Sequence, residues 1–171
     1  GYEYLAYENE YVALWFLHIA KEHSTSMHCH PNKTTGLVVL DGSVEVSFLS
    51  NSHQLGPLNK VMIRKGLFHS TRAQSDGGAW VLEVETPVNK QDLVRFRDSY
   101  GREGAPYEGK WAEEPKRSAC LWMEDPLRIG APNTYDLGHC RLHTTKVPHI
   151  DYFHDIPDEE NVVFLRGGLK T

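Results

Sequence analysis

Between Tyr11 and Glu85 no part of the chain keeps a helical spacing of apolar residues for long; short runs of β-branched and aromatic residues alternate with turn signals instead. A chain patterned this way buries its apolar side chains by pairing strands, which leads to an all-β sandwich or barrel. The expected strands lie over 12–18, 26–30, 35–40, 43–50, 53–55, 60–63, 69–73 and 79–86. Asp41-Gly42 between two apolar runs marks a tight hairpin, because glycine accepts the positive φ that such a turn requires. Gly56-Pro57 and Gly77-Gly78 mark further turns.

After Pro87 the pattern changes. Charged and apolar positions over 91–100 predict one short helix, which Gly101 ends. The stretch that follows is rich in glycine, proline and charge. The chain therefore divides into a barrel over 1–103, a linker over 104–118 and an extension over 119–171. The extension carries expected strands over 119–123 and 135–147, an acidic stretch over 151–160 and a last apolar run over 162–165. It is too short for a second barrel, and is either an incomplete second sheet or a segment that packs on the barrel or on a partner subunit.

The chain has 171 residues, the size of one domain with a real core. Its net charge of −5 repels phosphate backbones, so nucleic acid is not an expected partner, although Arg64 and Lys65 could hold one small anion such as a sugar phosphate. The apolar run over 11–20 is about half a membrane span and reads as a core strand, so no membrane partner is expected either. Cys29, Cys120 and Cys140 are odd in number, widely spaced and free of any CxxC pair, which points to a reducing compartment and hence the cytoplasm.

Chemistry concentrates in the histidines. His28 and His30 are separated by one residue, so on a strand both rings leave the same face and can grip one ion. A third imidazole has to come from a distant strand, and His69, which follows the turn at Arg64-Lys65-Gly66, is placed to supply it. Three neutral imidazoles suit one divalent metal ion (zinc, nickel, manganese or iron) and leave open positions for water or substrate. Glu83 and Glu85 lie two apart on one strand and share a face; if that face is inward, either can act as ligand or base. The plainer alternative for Glu85 is an exposed edge charge. His139, His143, His149 and His154 read as surface or loop histidines.

The run from His28 to Gly42 resembles the first cupin motif, in which HxH is followed by an acidic ligand and, seven residues later, a glycine. Arg64-Lys65-Gly66-Leu67-Phe68-His69 resembles the second, PxGxxH, with arginine where proline is common. One departure stands out: Thr35 occupies the position where cupins usually carry glutamate. A closer resemblance covers about residues 1–103. Ala79-Trp80-Val81-Leu82-Glu83-Val84-Glu85 followed by Asp92-Leu93-Val94-Arg95-Phe96-Arg97-Asp98-Ser99-Tyr100-Gly101-Arg102 is similar to the end of the phosphomannose isomerase domain of type II mannose-6-phosphate isomerases. Those read close to LIEVQ and then DDIVRFEDxYGR.

That resemblance implies a cupin barrel of the double-stranded β-helix, or jelly-roll, type and a sugar-phosphate substrate of cell-surface carbohydrate metabolism. The implied reaction is an aldose–ketose interconversion through a cis-enediol. By the same resemblance Glu83 is the base, and Arg95 and Arg102 hold the phosphate; strand spacing makes Glu85 a second catalytic candidate, and local charge adds Arg64 and Lys65 as substrate-binding candidates. The alternative for Arg95, Asp98 and Arg102 is a structural ion-pair cluster. Two other functions compete: a three-histidine non-haem iron dioxygenase, and a non-catalytic cupin that binds a sugar. Small cupins often pair through outer strands, so a homodimer is expected.

Overall fold

The computed structural model describes residues 1–102, 121–136, 140–157, 160 and 162–163. The expected linker over 104–118, Cys120, His139 and half of the run over 162–165 lie outside the described residues. Two five-stranded antiparallel sheets pack face to face. The first has the order β1-β2-β9-β4-β7, with β1 Tyr2–Glu8, β2 Ala13–Ile19, β9 Ala79–Thr86, β4 Thr34–Asp41 and β7 Lys60–Ile63. The second has the order β10-β3-β8-β5-β6, with β10 Val94–Arg97, β3 Met27–Cys29, β8 His69–Ala73, β5 Val44–Phe48 and β6 Ser52–Leu55. A separate hairpin pairs β11 Asn133–Asp136 with β12 Arg141–Thr144, and a 3-10 turn follows at Ile150–Asp155. Among the described residues no helix is long and apolar enough to cross a membrane.

Side-chain alternation sorts the first sheet into two faces. Leu17, Ile19, Leu37, Val39, Ile63 and Val81 point between the sheets and meet Val44, Val46 and Ala73 of the second sheet, forming one core. Leu14, Phe16, Leu82 and Leu40 point the other way, joined by Tyr4 and Ala6. They form a second core, which Leu121, Met123, Tyr135 and Leu142 of the extension cover. The extension thus packs on the outer face of the barrel, and the Tyr4 hydroxyl accepts a hydrogen bond from the Leu121 amide.

Three local expectations are corrected. The helix predicted over 91–100 is absent; a turn over 89–93 leads into β10, which pairs with β3. Val94 and Phe96 alternate with Arg95 and Arg97 at period two, and this local alternation, together with the open edge of β3, outweighs the helical charge pattern. The strand expected over 135–147 is instead the hairpin of β11 and β12, whose paired residues run from Asn133 with Thr144 to Asp136 with Arg141. Residues 121–123, the described part of the strand expected over 119–123, form no strand. Strand β1, which no sequence signal marked, pairs with β2 along the sheet edge.

Candidate metal centre

One end of the space between the sheets is apolar and the other polar. Two rows of cross-strand neighbours build the polar end. On the second sheet Arg95 pairs with His28, His28 with His69, and His69 with Phe48. On the first sheet Trp15 pairs with Glu83 and Glu83 with Leu37, and one step along Ala13 pairs with Glu85 and Glu85 with Thr35. Direct cross-strand partners project from the same face, so strand pairing alone gathers these side chains. His30 lies just beyond β3, and its carbonyl accepts a hydrogen bond from Gly66 in the turn that leads to His69.

The ring nitrogens of His28, His30 and His69 come within 4.8 Å of one another. The ring centroids are 4.9 Å apart for His28 and His30, 4.5 Å for His28 and His69, and 5.5 Å for His30 and His69. Each Nδ1 lies against a backbone carbonyl: His28 with Ser26 at 2.8 Å, His30 with Asp92 at 2.6 Å and His69 with Leu67 at 3.0 Å. A carbonyl can only accept, so each Nδ1 carries the proton and each Nε2 keeps its lone pair. The Nε2 of His30 is buried without a partner. Burial holds all three rings below the ordinary histidine range. His28 lies well below it, with the charges of His69 and His30 adding to burial; His30 is lowered to about 4, with Lys33 adding; His69 is lowered as well. Three neutral imidazoles with free Nε2 atoms are the donor set a divalent metal requires, and these residues fit one.

Two carboxyls adjoin this centre. His30, Glu83 and Glu85 also bring their ligand atoms within 4.8 Å of one another. Glu85 is buried, not an edge charge, and is ion-paired to Lys33, which is equally buried. Glu83 is half-buried, and desolvation together with the charge of Glu85 pushes its carboxyl up to about 8. The hydroxyl of Thr35 and the indole N–H of Trp15 are buried without partners beside them.

The basic candidates part company. Arg95 sits beside His28, on the inner row of the second sheet, and its charge helps to hold that ring neutral. Arg102 is committed to Asp98, with Nε at 2.7 Å from Oδ2, a terminal nitrogen at 2.9 Å from Oδ1 and its own amide at 2.8 Å from Oδ2. Arg64 and Lys65 are exposed on the turn after β7.

Sequence reasoning missed two residues. The Asp92 carboxylate accepts hydrogen bonds from the amides of Asn32 and Lys33 and from the Asn32 side chain, while its carbonyl orients His30. Lys33 is the buried cation of the centre. A signal for Lys33 existed, since it continues the alternation of Thr35, Leu37 and Val39 on the inner face of β4. None existed for Asp92, whose partners lie about 60 residues away.

No family model matches the chain, and no curated protein matches it. Solved structures do. An uncharacterized conserved protein with a double-stranded β-helix domain from Klebsiella pneumoniae aligns with a TM-score of 0.51 at 15% identity, over 55% of this chain and 82% of that one. KdgF from a Halomonas species aligns at 0.48 and 14% identity, over 51% and 80%. A sugar phosphate isomerase from a cupin superfamily, from Silicibacter pomeroyi, aligns at 0.43 and 16%, over 46% and 52%. The sheet order and the first of these likenesses establish the architecture: the chain has the double-stranded β-helix, or cupin, fold.

Proposed function

We propose that His28, His30 and His69 hold one divalent metal ion and that the protein is a metal-dependent isomerase of a small phosphorylated sugar. The observation that carries this reading is the place of Glu83: its carboxyl, pushed up to about 8 by burial and the charge of Glu85, has a ligand atom within 4.8 Å of that of His30, beside three neutral imidazoles. Moving a proton between adjacent carbons calls for such a group, because a carboxyl poised near the working pH both takes and returns a proton readily. When bound, the metal would supply a Lewis acid for the carbonyl and for the negative charge that develops on its oxygen.

The residues of the chain do the rest. Glu83 takes the proton from the hydroxyl-bearing carbon and returns it to its neighbour. Arg95, beside His28, offers a guanidinium to the phosphate. The unpartnered Thr35 hydroxyl and Trp15 indole N–H give sugar hydroxyls partners that the protein itself leaves open. The Arg102–Asp98 pair favours a structural role for Arg102, so Arg95 is the stronger phosphate candidate.

The test is proton exchange. Protein loaded with zinc, nickel, manganese or ferrous iron and incubated with aldose and ketose phosphates in heavy water is expected to place deuterium on the carbon next to the carbonyl. Glu83→Gln is expected to slow this about 100-fold or more while metal content stays the same. Oxygen consumption by the ferrous protein without exchange would mark a dioxygenase instead. Sugar binding undiminished by a chelator, again without exchange, would mark a non-catalytic binding protein.

A further inference from the structure

Two donor sets overlap at His30: the three imidazoles, and His30 with Glu83 and Glu85. Glu85 is 3% exposed, and the Lys33 ammonium that pairs with its carboxylate is 2% exposed. Across the strand pair from Glu85 stands Thr35, fully buried, its hydroxyl unpartnered. A hydroxyl is a poor ligand for a hard or borderline dication, whereas the Glu85 carboxylate on the neighbouring strand is a good one. Lys33 thus holds a carboxylate whose ligand atom lies within 4.8 Å of that of His30. A dication held by His30 would stand near that ammonium and be repelled by it. A buried ammonium next to a cation site is unfavourable in isolation, and a buried carboxylate without a cation equally so. The pair relieves both, and a metal ion would be the one other partner able to take the carboxylate.

We propose that Glu85 is a stored metal ligand: Lys33 and a divalent metal compete for its carboxylate, so that Lys33 sets the metal affinity of the centre. The proposal rests on the metal-binding reading of the three histidines. It assigns Lys33 no part in the chemistry of the substrate.

Titration of the metal-free full chain with zinc, followed by calorimetry, and the visible absorption of the cobalt-loaded protein test it. Lys33→Met is expected to bind zinc about tenfold or more tightly than wild type, and to gain more thermal stability from zinc than wild type does. Glu85→Gln is expected to bind zinc about tenfold or more weakly, and its cobalt bands are expected to shift because an oxygen ligand is lost. Either variant alone decides, should the other fail to fold. Variants that lose thermal stability but keep wild-type zinc affinity and an unchanged cobalt spectrum would make the pair purely structural and overturn the proposal alone. A wild-type chain that takes up neither metal would overturn both it and the reading on which it rests.

Discussion

Asp92 illustrates how one residue, through side chain and backbone, can set a centre that it does not enter. Its carboxylate fixes the turn at Asn32 and Lys33, and its carbonyl fixes the tautomer of His30. Burial alone would push its carboxyl up, yet the hydrogen bonds from Asn32 and Lys33 hold it below the usual carboxylate range. Asp92→Ala is expected to cost about 2 kcal/mol in denaturant unfolding, since buried donors lose a charged acceptor. Metal affinity is expected to fall about 10- to 100-fold in the same variant, read by calorimetry. Asp98 gives the pH dependence. Hydrogen bonds from Arg102 hold its carboxyl at about 2, below its ordinary value of 3.8. A depressed carboxyl stabilises the fold above its unfolded value and loses that contribution as pH falls through the folded one. Wild type is therefore expected to lose melting temperature between about pH 4 and pH 2 more steeply than Arg102→Gln, in which the depression is relieved. Equal slopes in thermal scans would remove Arg102 as the cause.

Strand by strand, most of the barrel could be read in advance. The bounds expected for β7, β8 and β9 are those found, because each is a short alternating run between clear turn residues. Gly42 sits in the β4–β5 hairpin with φ of +74°, and a Cβ there would come within 2.4 Å of the Gly78 carbonyl oxygen. Gly42→Ala is expected to destabilise by about 2 kcal/mol or more in chemical denaturation, through both the left-handed backbone and that contact. An unchanged midpoint would mean that the hairpin relaxes freely. What failed was the stretch after β9. Val94 and Phe96 carry strand alternation, but a four-residue strand is too short to outweigh neighbouring charges on pattern alone. Its pairing with β3 depends on an edge that only the folded barrel exposes, and that pairing brings Arg95 to His28.

The molecule as a whole joins its barrel and extension through one apolar surface. Tyr4, Phe16 and Leu82 are buried at 7%, 1% and 4% exposure because Met123 and its neighbours lie on them. Truncation after Arg102 is expected to uncover this face, lower the melting temperature and raise binding of a hydrophobic dye, since uncovered apolar patches of this kind seldom stay solvated. A truncated barrel that melts like the full chain would show the extension to be dispensable. Period, turn residues and the HxH spacing are enough to specify an all-β barrel and to single out His28, His30 and His69, because those signals are local and repeat over a few residues. Lys33 against Glu85, Asp92 against Asn32, Arg95 beside His28 and the covering of the outer face join segments that are remote along the chain. Such partnerships arise from closure of the sheets, which no short window of residues encodes.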